Sequence, residues 1–133
     1  VESPRIKNID RVRAPMSYDL PEVLMYYRET CIDIIREYGA TYCVIRTAEP
    51  NSSARGKGVI KRANAEGVLA EMSASIGIGC VMGPLATIGS RLGMNAKEAR
   101  SALDAGQFRS VPRWPNLNRA QKEAVMAAIA GLA

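Results

Sequence analysis

Apolar residues occur along this chain at two spacings, and the two together predict an α/β protein. Between Asp19 and Gly39 they recur every three or four positions, as on one face of a helix. Residues 41–45 and 76–82 form short, nearly continuous apolar runs, which are typical of strands in a buried parallel sheet. A less regular run, residues 5–12, predicts one more short strand.

Further helices follow each of the two apolar runs. Two of these helices carry capping pairs, Asn95 with Glu98 and Asn118 with Gln121. Because strands joined by helices form largely parallel sheets with right-handed crossovers, we expect one α/β domain over residues 1–133. Its central strand, residues 41–45, should be buried on both faces. The further helices are predicted at residues 58–76, 86–92, 95–103 and 118–132.

Small side chains form a stripe along the helix predicted at residues 58–76. The stripe consists of Ala63, Gly67, Ala70 and Ala74, which would let another backbone approach closely. Packing against the protein's own sheet is the favoured interpretation. A seam between two copies of the chain is the alternative, so a homodimer is one of the partners considered.

Basic residues cluster after the first apolar run. The chain carries 18 Lys and Arg against 13 Asp and Glu, a net charge of +5, and most of the cations are Arg. Arg favours planar contacts with phosphate and carboxylate, and ligands of α/β proteins bind at the carboxyl ends of strands. We therefore predict anion binding, with nucleic acid among the partners. A generic basic surface is the alternative. The candidate anion-binding residues are Arg46, Arg55, Lys57 and Lys61.

The segment Arg55-Gly56-Lys57-Gly58 stands directly before a predicted helix. Its glycines would free backbone amides at the helix N-terminus, and its cations would add charge, as in a phosphate cradle. It lacks the glycine spacing and the Lys-Ser/Thr pair of a Walker A loop. A flexible, solvated loop is the competing interpretation.

Histidine is absent from the sequence, so Ser-His and Cys-His nucleophile systems and His-containing metal sites are excluded. Cys31, Cys43 and Cys80 sit among apolar neighbours without metal-ligand spacing, which favours small core residues in a reducing, cytoplasmic setting. No apolar stretch is long enough to cross a bilayer, so we expect no membrane partner.

Carboxylates near the predicted strand ends are few. Glu49 follows residues 41–45, and Glu123 lies early in the last helix, so these two are the candidate catalytic acids. Together they could hold Mg²⁺, but nearby Arg46 competes for them, so we predict no metal site. We expect the guanidinium of Arg46 at the carboxyl end of its strand, either solvated or held by a carboxylate such as Glu49 or Glu66.

Trp114 is the only tryptophan and lies between two prolines and two arginines. It could offer a stacking surface for a nucleobase. A hydrophobic plug that pins the last helix is the favoured interpretation.

Three short motifs resemble a known family: Val44-Ile45-Arg46, residues 66–72 (EGVLAEM) and residues 84–92 (PLATIGSRL). They are similar to segments of an uncharacterised bacterial family within the ribonuclease H-like superfamily, the fold of the RuvC-type Holliday junction resolvases. The resemblance covers about residues 20–132. It implies a ribonuclease H-like mixed sheet with flanking helices, whose first strands would precede Val1 and could be missing from this chain.

The resemblance also implies which acids a nuclease of this type would need. Those enzymes carry an essential Asp on the first strand, an acid at the end of the central strand and another on the last helix. Here Arg46 stands at the position of the central acid, and Glu123 is the sole acid near the helix position. We therefore expect a domain without nuclease activity and without a cofactor.

Three functions remain after these arguments. The first is a ribonuclease H-like domain that binds an anionic partner, either nucleic acid or a phosphorylated ligand, through its basic loop. The second is a divergent metal-dependent nuclease of RuvC type that uses Glu49 and Glu123, with an upstream Asp and Mg²⁺. The third is a non-catalytic module that forms homo-oligomers.

Overall fold

The chain is an α/β protein, as its apolar spacing predicts. A computed structural model describes residues 4–49 and 56–133. Within these residues two parallel strands are combined with five α-helices and a short 3₁₀ turn at Trp114–Asn116. In chain order the elements are α1 (Leu20–Tyr38), β1 (Tyr42–Arg46), α2 (Lys57–Ser75), β2 (Gly79–Gly83), α3 (Leu85–Arg91), α4 (Ala96–Asp104) and α5 (Arg119–Ala130).

The two strands lie side by side because α2 carries the chain back to the start of the sheet. Tyr42 pairs with Gly79 and Arg46 with Gly83, and the ladder extends to Thr47, whose N–H donates to the Gly83 carbonyl at 2.9 Å. A Cβ at Gly79 would lie 2.5 Å from the ring of Tyr42. Glycine therefore lets the ring of Tyr42 pack over the start of β2, and a side chain at this position would require the ring to move.

Local capping explains where the helices begin. Asp19 and Glu22 form a complete capping box at the start of α1, each side chain accepting the other residue's backbone N–H. Matching boxes, predicted from Asn95 and Asn118, begin α4 and α5. Helix α1 ends at Gly39, which adopts the left-handed conformation that glycine tolerates.

The hydrophobic core lies where α3, α4 and α5 pack together, and Val44 of β1 packs against it. Helix α5 contacts β1, whereas α2 contacts both strands and α1 packs on α2. The sheet thus separates two helical layers. The fully or nearly fully buried side chains include Ile88, Ala99, Leu103, Trp114, Met126 and Ala130.

The strand predicted at residues 5–12 is wrong, because this segment makes no strand pairing in the structure. Its apolar residues, Ile6, Ile9 and Val12, are three positions apart, whereas a half-buried strand needs a period of two. Only Ile9 packs against the core, and Ile6 stays exposed. The segment follows the surface of the helices instead of extending the sheet.

The prediction that residues 41–45 are buried on both faces is also wrong. Ile45 is the only buried residue of β1, and Tyr42 is exposed. The physical reason is that β1 has one neighbouring strand among the described residues, so its other edge is not covered by a strand.

None of the described helices combines the length and apolar character needed to cross a membrane.

The favoured expectation, that the stripe of small residues on α2 packs on the protein's own sheet, is wrong. Ala63, Gly67 and Ala74 are exposed, whereas Met72 and Ser73 are buried. Ala63 and Met72 are nine positions apart, or two and a half helical turns, so they lie on opposite faces of the helix. The sheet-facing side of α2 is therefore the one with Met72, and the stripe points away from it.

Candidate functional site

The carboxyl end of β1 carries Arg46, as predicted, and a carboxylate holds it. The Arg46 Nη2 donates to Glu49 Oε1 at 3.0 Å, and its Nη1 donates to the Thr47 carbonyl at 2.8 Å. Glu49 Oε1 also accepts from the backbone N–H of Leu85, the first residue of α3, at 3.3 Å. Glu49 thus links the end of β1 to the start of α3.

A second carboxylate reaches the same guanidinium from α5. Glu123 Oε1 lies 3.4 Å from Arg46 Nη2 and 3.5 Å from Arg119 Nε. The structure therefore brings together the two acids that the sequence offered as catalytic candidates, Glu49 and Glu123. It places both of them on Arg46, so the cation occupies the space between the two carboxylates.

The guanidinium of Arg46 is largely withdrawn from water. Its side chain is 13% exposed, and its buried Nε has no hydrogen-bond partner among the described residues. An unmet buried donor costs about 1–3 kcal/mol, so the two carboxylates must compensate for that cost as well as for the desolvation of the charge. Arg46 therefore has a structural role at the carboxyl end of β1, where Glu49 and Glu123 neutralise its charge.

A neighbouring ion pair on α2 completes the arrangement. Glu66, 13% exposed, accepts the backbone N–H of Ala48 at 2.9 Å and lies 3.4 Å from Arg62 Nε. Arg62 Nη2 donates to the Arg46 carbonyl at 3.2 Å. The sequence reasoning did not name Arg62 as a site residue, although the four-residue spacing from Arg62 to Glu66 is the helical ion-pair signal that marks it.

The chemistry of this edge is that of compensated charge. Among the residues that the structure describes, no group of three or more Cys, Asp or Glu side chains is arranged to hold a metal ion. Glu49, Glu66 and Glu123 each face a guanidinium, and a guanidinium repels divalent cations. The described charges here thus compensate one another, and none of these three carboxylates is left free to hold a cation.

The predicted basic loop lies partly outside the described residues. Arg55 is not among them, and of Lys57 the structure describes only its place as the first residue of α2. Lys61 is exposed and forms no ion pair with a described residue. The N-terminus of α2 begins after Gly56, with no side-chain cap and no acid in its first turn. No acid of its own first turn therefore neutralises its positive end.

Cys31, Cys43 and Cys80, on α1, β1 and β2, are free thiols that are half-buried and lie outside the hydrophobic core, so the prediction of core cysteines is not confirmed. Burial raises the pKa of Cys31 and Cys43, and a hydrogen bond with Ser73 offsets part of the rise at Cys43. A raised folded-state pKa means that the protonated thiols stabilise the fold below the unfolded-state pKa, and that this contribution is lost as the pH rises through the folded-state value. At neutral pH these thiols are poor nucleophiles.

Trp114 is a hydrophobic plug. Its ring is completely buried, and it stacks at a tilt on Phe108 with 4.9 Å between ring centroids. Its Nε1 donates to the Ala102 carbonyl at 3.2 Å, and Lys122 Nζ lies 5.6 Å from the ring centroid. Because no face of the ring is accessible, Trp114 cannot stack on a nucleobase in this conformation.

Comparisons of the chain with protein-family models, with curated proteins and with solved structures find no match, so the assignment of a function rests on the geometry described above.

Proposed function

We propose that this chain is a ribonuclease H-like domain without nuclease activity that binds an anionic partner, nucleic acid or a phosphorylated ligand. Its contacts come from the basic loop and the first turns of α2, through Arg55, Lys57 and Lys61. Arg46 belongs to the same edge, but it is already paired with two carboxylates. Arg46 therefore has a structural role, and the other three cations supply the positive charge that attracts the anion.

One observation supports this proposal: each acid found at the carboxyl end of β1 forms an ion pair with an arginine. Glu49 and Glu123 neutralise Arg46, and Glu66 neutralises Arg62. These acids do not neutralise the positive charge of Lys61, and Arg55 and Lys57 are close to it in sequence. An excess of positive charge beside an uncapped helix N-terminus attracts phosphate through charge rather than through shape. The resemblance to the ribonuclease H-like superfamily supports nucleic acid as one of the partners.

We expect weak, salt-sensitive binding of oligonucleotides by this loop. Neutralising about three phosphates should give a slope of log K against log salt of roughly −2 to −3, for single strands and duplexes alike. Replacing Arg55, Lys57 and Lys61 together with Ala should flatten the slope to near zero. Fluorescence titrations of labelled single-stranded and duplex DNA at several salt concentrations measure it.

A matched control for that experiment removes three cations elsewhere. Arg36, Lys97 and Arg100 are exposed and lie away from the carboxyl end of β1, on α1 and α4. Their triple Ala variant lowers the net charge by the same amount and should retain the salt slope. Equal losses in both variants would show that only the net charge matters. A slope unchanged by the loop variant would leave the interaction module as the better interpretation.

The second candidate function is the metal-dependent nuclease, because the structure does bring Glu49 and Glu123 together. We expect no cleavage of branched, duplex or hybrid nucleic acid by this chain with Mg²⁺ or Mn²⁺, since Arg46 occupies the space between the two acids. Gel assays with labelled substrates test this. Metal-dependent cleavage that disappears in the Glu123→Gln variant would establish the nuclease instead.

The third candidate, a homo-oligomeric module, gains one observation from the structure. The stripe of Ala63, Gly67 and Ala74 on α2 faces away from the sheet, and a Cβ built on Gly67 meets no atom within 4 Å. A helix of another molecule could approach this face closely. The exposed stripe thus leaves room for a homodimer, which is compatible with anion binding by the same helix.

A further inference from the structure

A cavity next to Lys61 is not used by the arrangement at the carboxyl end of β1. It lies between the start of α1 and the first half of α2 and has a volume of about 460 Å³. This is within the range of roughly 300–1,000 Å³ that is typical of small-molecule sites. No carboxylate is among the described residues that line it. Those residues include Met16, Tyr18, Tyr27, Lys61, Arg62 and Ala65.

The charged side of the cavity comes from α2. Arg62 is committed, since its Nε faces Glu66 and its Nη2 donates to the Arg46 carbonyl. Lys61 is exposed and pairs with none of the described residues, so no described carboxylate neutralises its ammonium. A lysine is a compact point charge that suits a phosphate group. The cavity therefore has two cations in its lining: Arg62, which is neutralised by Glu66, and Lys61, which no described residue neutralises.

The opposite side of the cavity is aromatic. Tyr18 is 36% exposed, and its ring packs against Tyr26 at 79°, with 6.0 Å between the centroids. The backbone N–H of Tyr18 donates to the Pro15 carbonyl at 3.1 Å, which fixes the turn that carries the ring. Tyr27, half-buried on α1, also lines the cavity. An aromatic side chain held in place at the rim of a cavity is a stacking surface for a flat heterocycle.

We propose that this cavity binds a nucleoside 5′-phosphate, with the phosphate on Lys61 and the base against Tyr18. The inference rests on the proposed function, because Lys61 belongs to both sites, and it adds the base as a second recognised group. The same chemistry is present in a free mononucleotide and in the 5′ end of a phosphorylated single strand. The experiment below separates these two sources.

The test compares three probes on the full chain: AMP, inorganic phosphate and adenosine. Two-dimensional NMR titrations of the labelled protein give each dissociation constant. Since stacking on one aromatic residue strengthens binding about 5- to 150-fold, AMP should bind more tightly than phosphate by a factor in that range. Tyr18→Leu should reduce the affinity for AMP to that for phosphate and leave phosphate unchanged. Lys61→Ala should weaken both.

Tyr38→Leu is the matched control, because Tyr38 is 37% exposed and lies at the other end of α1. It should leave the affinity for AMP unchanged. A direct reading without any variant is the nuclear Overhauser effect between the adenine protons and the ring of Tyr18 in the wild-type protein. A 5′-phosphorylated deoxyadenosine decamer that binds more tightly than AMP indicates a strand end as the source, and equal affinities indicate a free nucleotide.

The outcomes separate the two proposals. If AMP binds no more tightly than phosphate, or if its protons show no contact with Tyr18, the base site is excluded. Loss of phosphate binding in Lys61→Ala would then still support anion binding by the loop. If neither phosphate nor AMP binds the wild-type protein, or if Lys61→Ala changes nothing, the nucleotide site is excluded, and the oligonucleotide titrations with the triple Ala variant decide the anion-binding proposal separately.

Discussion

Replacing Trp114 with Ala is expected to lower the free energy of unfolding by about 3–5 kcal/mol, the range for removing a large aromatic side chain from a core. Trp114 is completely buried and packs on Phe108 in the cluster formed by α3, α4 and α5. The substitution also leaves the Ala102 carbonyl without its indole donor. Since small domains are stable by about 5–15 kcal/mol, the variant should be close to unfolding. Urea denaturation followed by circular dichroism measures the change.

Two further variants show whether volume or the hydrogen bond causes the loss. Trp114→Phe retains most of the buried apolar area but cannot donate to Ala102, so its midpoint should fall between those of the wild type and Trp114→Ala. Met16→Ala, at a fully exposed position, should leave the midpoint unchanged. A Trp114→Ala protein with a wild-type midpoint would show that the core around Phe108 does not hold α5 in place.

The helices could be predicted from the sequence because their signals are local. The pairs Asp19 with Glu22 and Asn95 with Glu98 are three residues apart, and each pair satisfies the backbone donors of its own helix start. No distant part of the chain is needed for this bonding. The ends of α1, α4 and α5 accordingly fall within one or two residues of the predictions, and those of α2, which has no side-chain cap, do so as well.

The strands are harder to predict from the sequence, because a strand forms only where another strand pairs with it. The apolar run at residues 76–82 predicts a strand over its whole length, yet α2 ends at Ser75 and Gly77 adopts a φ of +77°, so β2 begins only at Gly79. The run at residues 5–12 has no partner strand among residues 4–49 and 56–133. Apolar character alone does not distinguish a helix end, an extended surface segment and a strand.

Part of the candidate site was also accessible from the sequence. Arg46 and Glu49 are three residues apart, so their ion pair could be expected, and the prediction of Arg46 held by Glu49 is confirmed. The contact with Glu123 depends on how α5 packs against β1, which no local pattern specifies. The same limitation explains the error about the stripe on α2, because tertiary packing decides which face of a helix meets the sheet. The anion-binding role of the loop stays a prediction.

Replacing Arg46 with Met is expected to lower the free energy of unfolding by about 2–3 kcal/mol. Removing one partner of a buried ion pair typically costs about 3–5 kcal/mol, because the other charge is left buried and uncompensated. Glu49 is 46% exposed, so water screens part of its charge, and the expected loss is smaller. Glu123, at 17% exposure, would keep only its 3.5 Å contact with Arg119. Urea unfolding at pH 7 gives the midpoint and slope.

The double variant Arg46→Met with Glu123→Gln distinguishes charge from packing in this experiment. Replacing the stranded carboxylate with a neutral amide should restore part of the lost stability, because the amide can be buried at lower cost. Arg28→Met breaks a solvent-exposed pair with Glu71 and should leave the midpoint nearly unchanged. If the double variant is no more stable than Arg46→Met, the side chain of Arg46 acts by packing alone. In that case the two acids do not need its charge, and the argument that Arg46 excludes a metal ion from this edge loses its electrostatic basis.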